Sequence, residues 1–257
     1  MSLLIDIFMC RTDNYGYLVH DTETRRTAAI DAPDAKAIKA ALERRGWSLS
    51  DIFITHHHVD HVEGIPVLDR EFSVRVTGPK AEATKILGLD VLVEPGDRVS
   101  LGATTFQIIG TPGHTLGHIA YYDAAGGHLF SADALFSMGV GRMFEGKPGP
   151  MWEGLETLRE LPDETLIYCG HEYTEANAAF AQHVDPNNPA LRIRAAEVKR
   201  MRANNEFTIP VSMAMEKATN PFLRADLPQM AKAMNLPQGT SAAQVFAALR
   251  KAKDDFK

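Results

Sequence analysis

The chain reads Thr55-His-His-His-Val-Asp-His61 directly after Asp51-Ile-Phe-Ile54, a short apolar run that predicts a buried strand. Successive side chains of a strand point to opposite faces, so His56 and His58 share one face as the strand ends. Asp60 and His61 follow at the turn. Imidazole and carboxylate ligands together suit zinc, iron or manganese. The stretch therefore predicts a metal site at the end of a strand, in preference to a solvated histidine-rich loop.

Three further candidate ligands occur downstream, each after a predicted strand. They are His114 after 105–109, Asp133 after 128–131, and His171 after 165–169. Singly, each has an ordinary explanation, because a histidine in a Pro-Gly loop is usually exposed and an aspartate after a strand usually forms a turn. Packing of two sheets face to face would bring the loop at 111–114 beside the first cluster. Five histidines and two aspartates suffice for two metal ions with one bridging carboxylate.

Short strands and few helices fill the first 130 residues. Strands are predicted at 3–8, 16–19, 27–30, 51–54, 73–77, 91–94, 98–101, 105–109, 118–122 and 128–131, with helices at 34–45 and 64–70. Asn14-Tyr-Gly16 is interpreted as a turn between the first two strands. The pattern favours two sheets with helices outside them over a doubly wound parallel sheet. No Gly-x-Gly-x-x-Gly or P-loop motif follows a strand, which excludes the common nucleotide-binding sites.

Beyond Gly149-Pro150 the pattern becomes helical, apart from a last strand at 165–169. Apolar residues with helical spacing are Trp152, Leu155, Leu158 and Leu161, then Leu191, Ala195, Val198 and Met201. Ser241-Ala-Ala-Gln244 is a capping box that opens the last helix, with Val245, Phe246 and Leu249 facing inward. We predict two domains, over residues 1–173 and 174–257.

Composition is that of a soluble globular protein, with 45% hydrophobic and 23% charged residues among 257. Two cysteines are too few for a disulfide framework, and no signal peptide or membrane span is predicted, so the expected compartment is the cytoplasm. Residues 186–257 carry 12 Lys and Arg against 6 Asp and Glu, whereas the whole chain has a net charge of −6. A nucleic-acid or membrane partner is not expected, but the basic tail suits a small anionic molecule. We expect a monomer.

The metal-ligand pattern His56-x-His58-x-Asp60-His61, with His114, Asp133 and His171, resembles the signature of the metallo-β-lactamase superfamily. Within it, the chain is similar to the glyoxalase II (hydroxyacylglutathione hydrolase) family over essentially its whole length. The similar segments are Thr12–Tyr15, Thr55–His58, Gly141–Gly146, Cys169–Tyr173, Asn220–Arg224 and Arg250–Asp254.

The resemblance implies an α+β fold, a four-layer αββα metallo-β-lactamase sandwich followed by a small C-terminal α-helical domain that binds glutathione. It implies one metal ion on His56, His58 and His114, a second on Asp60, His61 and His171, and Asp133 as the bridge. Asp60, His61 and Asp133 are the expected catalytic residues. The implied substrate contacts are Arg142, Phe144, His171, Tyr173, Arg250 and Lys253. The expected cofactors are two divalent ions per chain, zinc first, with iron or manganese as alternatives.

Chemistry follows from these residues. Two metal ions roughly 3.5–4 Å apart lower the pKa of a shared water from 15.7 towards about 7, so a metal-bound hydroxide can attack a thioester. A thiolate leaves readily, so no strong general acid is required. We therefore expect hydrolysis of S-(2-hydroxyacyl)glutathione, notably S-D-lactoylglutathione, to glutathione and D-lactate in methylglyoxal detoxification. A persulfide dioxygenase and a lactonase are the alternatives.

Several other residues carry smaller expectations. Asp31 is interpreted either as a carboxylate that orients a ligand or as a turn former. His20, His128 and His183 are predicted at the surface or in loops, and His57 is expected to be packed or hydrogen-bonded. The chain departs from the family pattern at Ala132 and Ala134 around the bridging aspartate, at Val59 and at Met143-Phe144.

Overall fold

The structure is a computed structural model and describes residues 3–256. The chain forms two compact units. The first comprises Met1–Thr111 with Thr115–Phe130, and the second comprises Pro112–His114 with Ser131–Lys257. No helix within residues 3–256 combines the length and the apolar character that a membrane span requires.

In the part of the chain that the structure describes, the first unit contributes strands to two β-sheets and contains three α-helices. Its strands are β1 (Leu3–Cys10), β2 (Asn14–Asp21), β3 (Thr27–Ile30), β4 (Asp51–Phe53), β5 (Arg75–Pro79), β6 (Val91–Val93), β7 (Arg98–Leu101), β8 (Thr104–Gly110), β9 (Ile119–Asp123) and β10 (His128–Ala132), whose end passes into the second unit. Its helices are α1 (Ala35–Arg45), α2 (Val59–Val62) and α3 (Ile65–Phe72), with a 3₁₀ turn at Lys80–Glu82.

The first sheet contains β1 to β6 in chain order, antiparallel up to β3 and parallel from β3 to β6. The strands β7 to β10 form an antiparallel meander. Phe53 of the first sheet stacks on Tyr121 and makes a T-shaped, edge-to-face contact with Phe106, so the two sheets face each other across an aromatic core. The prediction of two facing sheets is therefore confirmed.

Helix α1 forms where its sequence predicts. The Asp34 carboxylate accepts the amides of Lys36 and Ala37, and Gly46 ends the helix in the left-handed conformation. Its buried residues join those of α3 and of the inner strands in one hydrophobic cluster. Strand β4, which precedes the predicted ligands His56 to His61, is a central member of the sheet that this cluster covers.

Two predictions for this unit are wrong. Asn14 to Gly16 lie in β2, and the turn is formed by Arg11 to Asp13. Gly16 lets the backbone of β2 approach the Phe8 ring closely, because a Cβ there would lie 2.4 Å from that ring.

The second wrong prediction concerns His20. His20 is buried, since β2 is covered on both faces, and its ring stacks on Trp47 with a centroid distance of 4.5 Å. Burial lowers the pKa of His20.

The second unit is mainly helical. It contains the strands β11 (Leu135–Phe136), β12 (Gly139–Val140), β13 (Leu166–Cys169) and β14 (Val211–Ser212), and the helices α4 (Pro148–Arg159), α5 (Thr174–Val184), α6 (Pro189–Ala203), α7 (Met213–Thr219), α8 (Pro228–Ala233) and α9 (Ala242–Asp255). The capping box at Ser241 is present, and Phe246 packs against Trp152 and Phe222. Leu161 lies beyond the end of α4 instead of within that helix.

Candidate active site

The first group of predicted ligands lies where β4 ends and α2 begins. The Ile54 amide bonds to the carbonyl of Thr77, and the Thr55 carbonyl accepts the amide of Ile119, so the backbone stays extended beyond the strand. His56 and His61 are buried, whereas His58 and Asp60 are partly exposed. Ligands at the carboxyl end of a parallel strand project from a rigid support.

Ligand atoms within the first unit are closely spaced. His56 Nε2 lies 3.1 Å from His58 Nδ1, and His61 Nε2 lies 3.6 Å from Asp60 Oδ2. Two atoms bound at about 2.1 Å in tetrahedral positions on one ion lie about 3.4 Å apart. The spacings within this unit therefore suit metal coordination.

Asp31 orients this cluster, as one of its two sequence interpretations expected. Its Oδ2 accepts from His61 Nδ1 and from Thr55 Oγ1, both over 2.8 Å, and its Oδ1 accepts the Thr55 amide over 2.8 Å. Because Nδ1 of His61 is engaged by the carboxylate, Nε2 is the nitrogen left to face a metal ion. Asp31 holds this position with a φ of 58°.

Asn14 contacts the predicted ligand Asp60, a contact that the sequence interpretation missed. Its Nδ2 donates to Asp60 Oδ2 over 3.0 Å and to the Asp60 carbonyl over 3.2 Å. The amide thereby fixes the orientation of the carboxylate. The resemblance around Thr12–Tyr15 was the only signal for it in the sequence.

The second unit brings together three predicted ligands, His114, Asp133 and His171, all of them buried. Asp133 Oδ2 lies 3.3 Å from His114 Nε2 and 3.3 Å from His171 Nε2. The carbonyl of Arg142 engages His114 Nδ1 over 2.9 Å, so Nε2 again is the nitrogen left for a metal. One carboxylate oxygen between two imidazoles is an arrangement compatible with a bridging ligand.

Gly141 allows the backbone to pass closely behind this group. A Cβ at this position would lie 2.0 Å from the Asp133 carbonyl oxygen and 3.0 Å from His114 Nδ1. Any side chain would therefore displace the two ligands. The space fits glycine alone.

Two exposed aromatic side chains flank the ligands of the second unit. Phe144 is 63% exposed, and its ring centroid lies 5.3 Å from that of His114. Tyr173 is 39% exposed and stacks on His171, with the ring planes 3° apart and the centroids 4.9 Å apart. Exposed aromatic rings beside buried ligands offer an apolar surface to a substrate.

A cationic group lies in the same unit. Arg250 is 4% exposed and donates from Nη1 to the Val140 carbonyl over 2.8 Å and from Nη2 to Asp254 over 2.9 Å. The exposed Arg142 also pairs with Asp254, at 3.7 Å. Lys253 is half-buried and donates to the Ala176 carbonyl over 3.1 Å. Burial and the neighbouring positive charges of Arg250 and Arg142 lower the pKa of Lys253. An anion bound beside these three side chains would offset their mutual repulsion and stabilise the charged form of Lys253.

The remaining histidines either lie beside the predicted ligands, as His57 and His118 do, or lie elsewhere in the chain. His57 is hydrogen-bonded to Glu82, as expected. His118 is buried, and its ring stacks on His56 with a centroid distance of 4.8 Å. His183 is exposed, and His128 is half-buried with a pKa lowered by burial.

Comparison with known proteins places the chain in a family. Residues 20–171 match the model of the Metallo-beta-lactamase superfamily, and residues 172–256 match that of the Hydroxyacylglutathione hydrolase C-terminus. A hydroxyacylglutathione hydrolase of Brucella anthropi is 51% identical over 254 residues, which cover 99% of this chain and 97% of that protein.

Solved structures show the same fold. The crystal structure of ETHE1 from Myxococcus xanthus has a TM-score of 0.66 and 26% identity, covering 97% of this chain and 99% of that one. TTHA1623 in a di-iron-bound form has a TM-score of 0.55 and 28% identity, covering 66% of this chain and 92% of that one. The predicted metallo-β-lactamase fold is thus confirmed. By sequence and by fold, the chain belongs to the hydroxyacylglutathione hydrolase family within the metallo-β-lactamase superfamily.

Proposed function

We propose that the protein hydrolyses S-(2-hydroxyacyl)glutathione, with S-D-lactoylglutathione as the principal substrate, to glutathione and D-lactate in methylglyoxal detoxification. The observation that carries the proposal is 51% identity to a hydroxyacylglutathione hydrolase over 99% of the chain. This similarity extends over the C-terminal family match at residues 172–256, which contains the basic residues of α9. A metal-dependent lactonase would not need that cationic group.

The donor chemistry of the predicted ligands, five imidazoles and two carboxylates, supports a dinuclear metal site. We propose His56, His58 and His114 for one ion, Asp60, His61 and His171 for the other, and Asp133 as the bridge. Imidazole and carboxylate ligands suit zinc, with iron or manganese as alternatives. When bound, the two ions would lower the pKa of a water from 15.7 towards about 7 and so supply a nucleophile at neutral pH.

The side chains around the predicted ligands hold those ligands in fixed orientations. Asp31 and the Arg142 carbonyl hold His61 and His114 through Nδ1. Asn14 holds Asp60 through its side-chain amide. We propose that the carboxylates of Asp60 and Asp133 accept a hydrogen bond from an attacking water. The thiolate that leaves is stable enough to need no strong general acid.

Glutathione carries two carboxylates, and the cationic group of the second unit suits them. We propose that Arg142, Arg250 and Lys253 bind these carboxylates, with Arg250 as the buried member. Phe144 and Tyr173 would pack against the apolar part of the thioester beside His171. Charge-assisted hydrogen bonds of this kind contribute about 1.5–3 kcal/mol each.

The test is hydrolysis of S-D-lactoylglutathione, with metal content measured on the same sample. The Lys253→Met variant removes the charge and keeps most of the side-chain length, and Lys251→Met, on an exposed position of the same helix, is the matched control. We expect about two metal ions per chain, a KM raised about tenfold or more in Lys253→Met, and an unchanged kcat. Lys251→Met should retain both constants.

Full metal loading without thioesterase activity would exclude the proposal. Oxygen consumption with glutathione persulfide would then test the persulfide dioxygenase alternative, and hydrolysis of a lactone would test the lactonase alternative. An equal KM in both lysine variants would exclude Lys253 from binding while leaving the activity itself supported.

Three further features belong to the proposal. We propose that residues 1–173 act as the catalytic domain and residues 174–257 as the glutathione-binding domain, since the two family matches meet at 171/172. We also propose a cytoplasmic monomer whose partner is the small-molecule thioester, with neither nucleic acid nor membrane. The net charge of −6 supports the absence of a nucleic-acid partner.

A further inference from the structure

Glu82 is a buried carboxylate outside the ligand set. It ends the 3₁₀ turn Lys80–Glu82 and is 2% exposed. Its Oε2 accepts the His57 amide over 2.7 Å and also bonds to His57 Nδ1 over 2.8 Å. Its Oε1 accepts from the Thr115 hydroxyl and from the Gly117 amide, the latter over 2.9 Å. Both carboxylate oxygens are therefore fully used.

The groups that Glu82 holds adjoin three of the proposed metal ligands. His57 lies between His56 and His58, and Thr115 directly follows His114. Fixing the His57 backbone restricts the directions in which the two neighbouring imidazoles project. Fixing Thr115 and Gly117 restricts the loop that leaves His114. One side chain thus supports both segments that supply ligands for the first ion.

The loop that follows His114 approaches Glu82 closely because it has a glycine at position 117. A Cβ on Gly117 would lie 2.5 Å from Glu82 Cγ and 2.9 Å from Ala81 Cβ, so the loop backbone can approach the 3₁₀ turn only with glycine at this position. An apolar side chain at position 82 would fill the same space without the cost of burying a charge. A buried charge is retained in some proteins because it fixes one conformation. Here the conformation fixed is that of the two ligand segments.

We propose that Glu82 is a positioning residue for the first metal ion, on His56, His58 and His114. The inference rests on the proposed dinuclear site and deepens it. Glu82 is not among the ligands proposed for either ion. It acts through the His57 amide and through Thr115 and Gly117, in the way that hydrogen bonds behind metal ligands raise metal affinity.

The experiment uses the full-length protein loaded with zinc. Samples of wild type, Glu82→Gln and Thr115→Val are dialysed against increasing concentrations of a chelator, and the zinc retained per chain is measured at each step. Thr115→Val keeps the shape of the side chain but removes one hydrogen bond to Glu82. This variant tests the inference even if Glu82→Gln fails to fold. Glu94→Gln is the matched control, because Glu94 pairs with Lys80 at the start of the same 3₁₀ turn and its side chain is 61% exposed.

We expect wild type and Glu94→Gln to lose two ions together over one range of chelator. Glu82→Gln should lose one of its two ions at about 10–100-fold lower chelator concentration, and Thr115→Val should show a smaller shift in the same direction. Unfolding midpoints in excess chelator should agree among the variants, because the effect is on the metal-bound state.

Retention of both ions by Glu82→Gln at the wild-type chelator concentration would overturn the inference. Equal weakening of both ions, with a lowered unfolding midpoint in excess chelator, would also overturn it, because Glu82 would then support the fold and not one metal. If the wild type itself binds no zinc, the proposed function fails as well, and that outcome is visible before any variant is compared.

Discussion

Asp31 shows how one residue can set the orientation of a predicted ligand. Its oxygens accept from the Thr55 amide, from the Thr55 hydroxyl and from His61 Nδ1. Asp31→Asn should lower kcat and the affinity for one ion by about 10–100-fold, because an amide nitrogen at either position cannot accept these donors. Steady-state kinetics with metal analysis measures both effects. Asp69→Asn, on the exposed face of α3, is the control and should match the wild type.

Gly141 gives a second test at the level of one residue. Gly141→Ala should reduce metal content and activity severely, since its Cβ would lie 2.0 Å from the Asp133 carbonyl oxygen. Gly149→Ala is the control, because a Cβ there meets nothing within 4 Å and alanine in the first turn of α4 favours the helix. Equal metal content in the two variants would contradict the close-packing argument.

Single residues also mark the limit of sequence reasoning. Asp31 could be suspected from the sequence because it follows a strand, although a turn-forming role was equally open. Asn14 and Glu82 could not, since each acts on a group 25 or more positions away, and neither belongs to a metal-ligand spacing. Their roles depend on which loops the fold brings together, which a local pattern does not contain.

The hairpin of β11 and β12 is held by side chains from helical segments of the same unit. Glu216 of α7 accepts from the Ser137 hydroxyl and from the Met138 amide. Asn220 donates to the carbonyls of Phe136 and Gly139 and to Glu216. The hairpin directly follows Asp133, so these bonds fix the segment that carries the proposed bridging ligand.

Glu216 should make stability depend on pH. Burial raises its pKa from 4.5 to about 7 in the folded protein, against the opposing hydrogen bonds from Met138, Asn220 and Ser137. The folded state therefore holds a proton that the unfolded state has released between pH 4.5 and about 7, and stability from this group falls as pH rises through that window. The full loss is on the order of 3 kcal/mol.

Urea unfolding of wild type and Glu216→Gln at several pH values measures this loss. We expect the stability of the wild type relative to the variant to be greatest near pH 4.5 and to decline up to about pH 7, because glutamine does not ionise. Parallel pH profiles of the two proteins would contradict the assignment.

Elements differed in how well the sequence predicted them. The helices α1 and α9 were located by their caps and apolar spacing, which are local properties. The hairpin of β11 and β12 was not predicted, since strands of two residues have no periodicity to detect. The hairpin exists because distant side chains satisfy its backbone groups.

Removal of the metal ions tests whether they stabilise the folded chain as a whole. Ions that bind the folded chain and not the unfolded chain raise stability by mass action, by about 2.7 kcal/mol at a free concentration 100 times the Kd. Excess chelator should therefore lower the thermal unfolding midpoint by several degrees, and added zinc should restore it. An unchanged midpoint in a sample shown to have lost its metal would contradict a structural contribution of the ions.

The division of the chain is described differently by sequence pattern and by contacts. The predicted division into residues 1–173 and 174–257 rests on a change from strands to helices and stays a prediction, whereas the second compact unit comprises Pro112–His114 and Ser131–Lys257, so one of its boundaries lies at residues 130/131. Contacts between residues far apart in the chain define those units, and periodicity does not report such contacts. Strand β10 crosses this boundary.

Both thiols of the protein are buried, and this has a consequence for an enzyme that releases a thiol with each turnover. Burial raises the pKa of Cys10 to about 12, and burial also raises the pKa of Cys169. Since the thiolate is the reactive form, neither side chain should form a mixed disulfide with glutathione disulfide. Mass spectrometry of the native protein after such exposure should show no adduct, whereas the urea-unfolded chain should accept two. Such a protein would keep its activity while the cellular glutathione pool becomes oxidised.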